Sequence, residues 1–455
     1  MMRKTIGFVT VLLFAVMLCA SGVQAKISAA DAARLGNDLT PVGGEMAGNA
    51  AGTIPAWTGG ITQPPACYKP GDHHPDPFAD DKVLFKINKA NMAKYADQLT
   101  EGHKALLEAD PNYYLNVYPT HRSASFPERI YDATKRVAQT ALLTEDGNGI
   151  VGAGEGLPFP IAKNGLEAIW NHLVHWRGDC IDRTFVYSPV TRGGSYNLGT
   201  ENTQVRWQYS QPGMTEEKMD NVILYFKMDL LGPPRVAGRI LIVHDTLNQK
   251  KETRKAWTYN PGQRRVRRAP QVAFDTPGTG SDGLRTMDDY EMYNGSPERY
   301  EWKLLGKKEM YVAYNSYKLH SDKLKYKDII QPMHYNPDYL RYELHRVWVV
   351  EASLKKGTRH VYKKRVFYLD EDTWAVIATD KYDNRDKLWR FSESFVLNYY
   401  EVPCSWSTSN IHYDLQAGRY VFMYLDNEEK STYNFDVKYP VKNFSPASLR
   451  RSGRR

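Results

Sequence analysis

Apolar and polar positions change their spacing once along the chain, near residue 180. Before that point, three stretches repeat apolar residues every three to four positions. Residues 88–109 place Met92, Tyr95, Leu99 and Leu106 near one face and stop before Pro111. Residues 127–144 start on Pro127, carry Ile130, Val137 and Ala141, and end at Gly147, while residues 165–176 follow a capping Asn164 and carry Leu166, Ile169, Leu173 and Trp176 up to Gly178. This spacing predicts three helices. Beyond 180 the period is two. Runs such as 221–228, 239–244, 255–259, 309–314, 342–351, 360–369, 374–378, 389–399 and 419–424 are rich in Val, Ile, Tyr, Phe and Trp, which predicts strands. Gly232-Pro233-Pro234, Asn260-Pro261-Gly262, Lys355-Lys356-Gly357 and Asp370-Glu371-Asp372 separate several of them. Connections this short join antiparallel neighbours, because parallel ones need a crossover of about a dozen residues.

The predicted fold class is therefore α+β, mainly antiparallel β, with helices packed on a large meander. The expected organisation is an extended, glycine-rich segment over 26–82, a helical region over 83–180, antiparallel sheet over 181–445 and a basic tail over 446–455. Residues 26–455 are expected to form one compact unit. A loop-like stretch at roughly 270–298 is long enough to be a flap or lid.

The first 25 residues read differently. Arg3 and Lys4 precede an apolar run from Ile6 to Leu18, and Val23-Gln24-Ala25 forms a small-x-small site. This is the pattern of a cleaved export signal, with cleavage after Ala25 and a periplasmic destination. The run is too short to span a bilayer. The charge follows from the ends of the chain. Of the formal excess of +8, from 60 Lys+Arg against 52 Asp+Glu, Arg3 and Lys4 carry two charges and Arg450, Arg451, Arg454 and Arg455 carry four more. A basic excess that lies mostly at the two ends is poor evidence for a nucleic-acid-binding body, which needs a basic stripe on a folded face. Composition with 31 Tyr and 10 Trp also excludes wholesale disorder. After cleavage Cys67, Cys180 and Cys404 remain, which allows at most one intramolecular bridge in any of three pairings.

Candidate chemistry is sparse. The chain carries no G-x-S-x-G, H-E-x-x-H or G-x-x-x-x-G-K-[ST] motif, and no metal site or cofactor is predicted. His73, His74, Asp76, Asp80 and Asp81 are read as a solvated loop, His172 and His175 as part of a helix packed on the sheet, and Asp370, Glu371 and Asp372 as a polar hairpin turn. Arg264, Arg265, Arg267 and Arg268 form the sharpest charge cluster of the body. It is a candidate site for an anionic lipid head group, a carboxylate substrate or an acidic partner, or a charged edge strand that resists aggregation. Tyr225, Phe226, Trp257, Trp348, Phe367, Trp374 and Trp389 are candidate walls of an apolar cavity under a curved sheet.

Several spaced motifs together resemble a known family. They are Leu35-Gly-Asn-Asp-Leu-Thr-Pro-Val-Gly-Gly-Glu-Met-Ala-Gly-Asn49, Gly52-Thr-Ile-Pro-Ala-Trp-Thr-Gly-Gly60, Asp76-Pro-Phe78, Tyr118-Pro-Thr-His-Arg122, Pro158-Phe-Pro160, Trp257 through Pro270, Glu343 through Val349, and Asp370-Glu-Asp-Thr-Trp374. Over essentially the whole mature chain they resemble the exported Gram-negative proteins known as domain of unknown function 1329. The second half is also similar, more distantly, to the outer-membrane lipoprotein-sorting carriers. That resemblance implies a strongly curved, incomplete β-barrel with helices packed on or inside it and an apolar cavity. It further implies a periplasmic binding or carrier protein for a lipid or other large hydrophobic molecule, not an enzyme. Implied partners are a resistance-nodulation-division-type exporter, an outer-membrane protein and peripheral membrane contact. The alternatives are an envelope hydrolase using the carboxylates near Asp370 or an unrecognised site, and a non-binding assembly factor that docks on a membrane exporter through the arginine cluster.

Overall fold

The computed structural model describes residues 26–269 and 274–452. The expected leader and its cleavage point, and the arginines at 454 and 455, lie outside the described residues. The described strands are β1 (Phe85–Ile87), β2 (Leu115–Val117), β3 (Leu142–Leu143), β4 (Ile150–Val151), β5 (Cys180–Val190), β6 (Gly199–Trp207), β7 (Val222–Gly232), β8 (Ile240–Thr246) and β9 (Lys255–Asn260). They continue with β10 (Arg265–Arg268), β11 (Tyr300–Ala313), β12 (Tyr342–Leu354), β13 (Lys364–Asp370), β14 (Val376–Tyr382), β15 (Leu388–Tyr399), β16 (Cys404–Asp414) and β17 (Arg419–Leu425). The helices are α1 (Ala29–Arg34), α2 (Glu101–Ala109), α3 (Glu128–Val137), α4 (Gly165–Val174), α5 (Glu216–Met219), α6 (Tyr317–His320), α7 (Tyr326–Ile329) and α8 (Pro446–Ser452).

Fifteen strands build one sheet, and β3 with β4 forms a separate hairpin. The large sheet consists of two antiparallel meanders, β5 to β10 and β11 to β17, joined where β17 pairs with β5, and of the β1–β2 pair, whose β2 meets β12 in parallel. It is open, with β10 at one end and β1, β2 and β11 at the other. The architecture is a curved, incomplete antiparallel barrel. A strand points successive side chains to opposite faces, and β17 shows the result: Tyr420 and Phe422 join one hydrophobic cluster while Val421 and Met423 join another. Both faces of the sheet are therefore covered.

The helical signals were correct in place and too long in extent. The 88–109 stretch divides into a 3-10 turn, Met92–Gln98, and α2, because Thr100 caps α2 by accepting the His103 N–H. α3 stops at Val137, and Leu142–Leu143 pairs with Ile150–Val151 instead. α4 starts as expected, with Asn164 accepting the Glu167 N–H. The segment before residue 83 packs against the body as a strap. Its Gly43 has φ +95, and a Cβ there would meet the Pro160 carbonyl oxygen at 1.8 Å. Only glycine suits both demands. Residues 446–452, expected as a tail, hold α8, whose Leu449 packs on Ile240, Tyr259 and Phe444.

Candidate functional site

The connection between β10 and β11 decides what the hollow of the half-barrel can hold. Expected as a flap, its described part instead enters the concave side. Asp288, Asp289, Glu291, Met292 and Tyr293 are all buried. Three carboxylates tie it to basic groups on the sheet: Asp288 to Arg365 at 2.7 Å, Asp289 to Lys381 at 2.8 Å and Glu291 to Arg183 at 2.9 Å. The Arg183 guanidinium also lies over the rings of Trp406 and Tyr424, at 4.3 and 4.2 Å. His172 on α4 completes the anchorage. Its Nε2–H donates to the carbonyls of Glu291 and Tyr293, both at 3.1 Å, and its Nδ1 accepts the Val376 N–H. Burial pushes His172 down to about 3, so the ring is neutral and able to play both parts.

Between this insert and strands β5 to β8 a cavity of about 80 Å³ remains. Val205 and Trp207 of β6, Leu224, Phe226 and Met228 of β7, Leu241 and Val243 of β8, Trp406 of β16 and Met423 of β17 form its apolar wall. The insert contributes Thr279, Arg285, Met287, Tyr290, Glu291 and Asn294. Charged groups interrupt the wall. Arg254 grips Asp245 with two bonds of 2.9 and 2.7 Å, and Glu291 is held by Arg183 and by the Trp406 indole N–H. Glu201 accepts from the Thr203 hydroxyl at 2.9 Å, and burial pushes its carboxyl up to about 7. Arg177 and Arg285 also line the cavity.

Of the seven aromatic candidates, Phe226 lines this cavity and the others lie elsewhere. Strand alternation turns Tyr225 to the opposite face, where it meets His244 and Phe444. Trp257 shares that outer face through His244. Trp348 and Trp374 stack on each other 5.9 Å apart, with the Trp374 indole N–H on the Val42 carbonyl. Phe367 packs on Tyr293 and Trp302. Trp389 carries Arg390 over its ring and donates to Asp414. Sequence alternation alone identifies two faces but not which of them is concave. It also missed the cavity's arginines, since nothing local marks Arg177 or Arg285.

Arg265, Arg267 and Arg268 stand exposed on the terminal strand β10, and Arg264 is exposed in the turn before it. None makes an ion pair among the described residues.

The expected polar loops are more ordered than their composition suggests. His74 is buried, with its ring between His320 at 3.1 Å and Glu401 at 2.9 Å, and His73 meets the Asp426 carbonyl. The loop is fastened to the sheet, which corrects the solvated reading for these two histidines. Asp80 stays exposed. Asp370, Glu371 and Asp372 do form the β13–β14 turn, but a buried one. Asp372 is gripped by Arg122 at 2.6 and 2.8 Å, and Glu371 pairs with Arg346 and Lys307. Asp370 is 1% exposed; it accepts from Tyr314 and Thr373, and burial followed by the nearby Asp372 charge pushes it up to about 6. His345, Asp370 and Asp372 bring one ligand atom each within 4.8 Å of one another. The Arg122 guanidinium already occupies both oxygens of Asp372, so a cation there would compete with a resident positive charge. Cys67 is exposed, Cys180 and Cys404 are buried, and all three are free thiols.

An open half-barrel with a filled hollow and a residual apolar cavity is the class of molecule these features define. The chain belongs to the family described as protein of unknown function (DUF1329), whose model matches residues 86–450. It is 46% identical over 440 residues to "Uncharacterized protein PA3922" of Pseudomonas aeruginosa, covering 96% of this chain and 97% of that one. Among solved structures it is similar to a DUF1329 family protein from Desulfovibrio piger (16% identity, TM-score 0.40, 60% of this chain and 92% of that chain). It is also similar to the LolA superfamily protein NE2245 from Nitrosomonas europaea (12% identity, TM-score 0.35, 62% and 98%). Among the described residues no helix is long and apolar enough to cross a membrane.

Proposed function

We propose that this is a periplasmic binding or carrier protein for a lipid or other hydrophobic molecule, held inside the half-barrel. The observation that carries the reading is the cavity between β5–β8 and the insert, with its wall of aliphatic, aromatic and methionine side chains. Such walls bind apolar ligands by removing their surface from water, at about 25 cal/mol per Å². Methionine adapts to irregular ligand shapes. A volume of about 80 Å³ is well below the roughly 300 to 1,000 Å³ of ordinary ligand pockets, too small for a whole acyl chain. Loading a chain therefore displaces the insert, and its three ion pairs with Arg183, Arg365 and Lys381 define what must give way or shift.

Export rests on the leader pattern at 1–25. The carboxylates at 370–372 do not favour the hydrolase alternative, because each is held in the turn and none lines the cavity.

The test is organic extraction and mass spectrometry of protein purified from the periplasm, followed by uptake of a fluorescent fatty acid by the stripped protein. A stoichiometric extracted lipid, and uptake abolished by the cavity-filling Met228→Trp, are expected. Protein without lipid that takes up no probe contradicts the proposal.

A further inference from the structure

We propose that the cavity selects an amphiphile with an anionic head group, which Arg177 and Arg285 receive. This inference rests on the cavity being the ligand site and adds the chemistry of the ligand's polar end. Four guanidiniums and three carboxyls line the cavity. Two ion pairs form within it, Arg183 with Glu291 and Arg254 with Asp245. That leaves Arg177 and Arg285 with no carboxylate in ion-pair contact, opposite the single remaining acid, Glu201. Both arginines are more than nine-tenths buried, at 5% and 4% exposure. Arg177 donates from Nη2 to the Leu173 carbonyl at 3.0 Å, and Arg285 from Nη1 to the Thr286 carbonyl at 3.4 Å. The Nε atoms of both are buried with no hydrogen-bond partner.

A buried charge without a counterion is strongly unfavourable. Two of them in one apolar cavity make sense if an anion completes the set. Guanidinium presents a planar fork of donors that matches carboxylate or phosphate oxygens. Glu201 fills that role only in part: it makes no ion-pair contact with either arginine, and burial, against the pull of Arg285, keeps its carboxyl up at about 7. The apolar wall of Phe226, Met228, Leu241, Val243 and Met423 leaves the remainder of the ligand apolar. A fatty-acid carboxylate and a lysophospholipid phosphate share this chemistry.

Trp207 and Trp406 line the cavity and stand edge to face at 5.3 Å, so tryptophan fluorescence reports on its occupancy. The experiment titrates stripped full-length protein with palmitate, palmitoyl-lysophosphatidate and uncharged hexadecanol, below their aggregation concentrations, and repeats it with the Arg177→Met, Arg285→Met double variant. At least one anion is expected to bind tenfold or more tighter than hexadecanol, and which one does so identifies carboxylate or phosphate as the head group. In the double variant that preference should vanish while hexadecanol affinity stays within about twofold. Equal affinity for anions and alcohol in the wild type, or a preference that survives in the double variant, overturns the inference and leaves the apolar cavity standing. No binding of any of the three overturns the carrier reading itself. If the double variant does not fold, the wild-type comparison alone decides.

Discussion

Glu201 links the cavity to pH. Burial raises its carboxyl from 4.5 to about 7, against the smaller opposing pull of the Thr203 hydrogen bond. An acid whose folded pKa lies above its unfolded value binds more protons when folded. It stabilises the fold below about 4.5, and that contribution is lost as pH rises toward 7, by at most about 3 kcal/mol. Glu201→Gln lacks this titration. Its stability relative to wild type should therefore rise by up to that amount between pH 4.5 and 7.5 in urea denaturation; a constant difference across the range would show that Glu201 is not held in its buried form. Asp370 and Asp380, both also pushed up to about 6, are present in both proteins and cancel. A second residue-scale expectation concerns Asp372→Asn, which leaves the Arg122 guanidinium buried beside a neutral amide. Because Glu371 still lies 3.5 Å from Arg122, a loss at the lower end of the about 3 to 5 kcal/mol for breaking a buried pair at one partner is expected, and a loss below about 1 kcal/mol would contradict the pairing. The turn at 370–372 was legible in sequence because turn-forming residues stand between two apolar runs. Its burial was not, because Arg122 lies 250 residues away in the chain.

At the scale of elements, period-two alternation identified most strands, and β16 shows where it fails. β16 reads Cys-Ser-Trp-Ser-Thr-Ser-Asn-Ile-His-Tyr-Asp, yet every residue of it is buried. Several of its polar side chains are satisfied by the neighbouring structure, as His412 is by Ser392 and the Ser409 hydroxyl by the Met423 carbonyl, while the Ser407 and Tyr413 hydroxyls are buried without a hydrogen-bond partner. Such partners come from other strands, so no local pattern announces them. The insert between β10 and β11 was recognisable as long, but not as buried. Its carboxylates, Asp288, Asp289 and Glu291, look like surface residues until the basic groups of β5, β13 and β14 are placed opposite them. Asp289→Asn removes the charge facing Lys381, which burial already pushes down to about 8. Hydrogen exchange at residues 286–293 should then accelerate at least tenfold while β15 and β16 keep their protection. Unchanged exchange in the insert would mean that its other two ion pairs and His172 hold it alone.

For the whole molecule, the pairing of β17 with β5 is what turns two successive meanders into one curved sheet. Curvature gives the sheet an inside, the insert and α4 fill most of it, and the space left beside β5 to β8 is the cavity. An incomplete barrel was legible through the resemblance of spaced motifs, whereas the position of the cavity depended on which face of each strand turned inward. Phe226 and Tyr225, adjacent in sequence, fall on opposite sides of that division. The central claim is that a hydrophobic ligand sits between the insert and β5–β8. It is tested most directly by photo-crosslinking stripped protein with a fatty acid carrying a diazirine in its tail and mapping the adducts by peptide mass spectrometry. The account predicts adducts concentrated on β7, β8 and the insert, at Phe226, Met228, Leu241 and Met287, and competed away by unlabelled fatty acid. Adducts scattered over the outer surface, or concentrated on the opposite face around Tyr225 and Trp257, would contradict it.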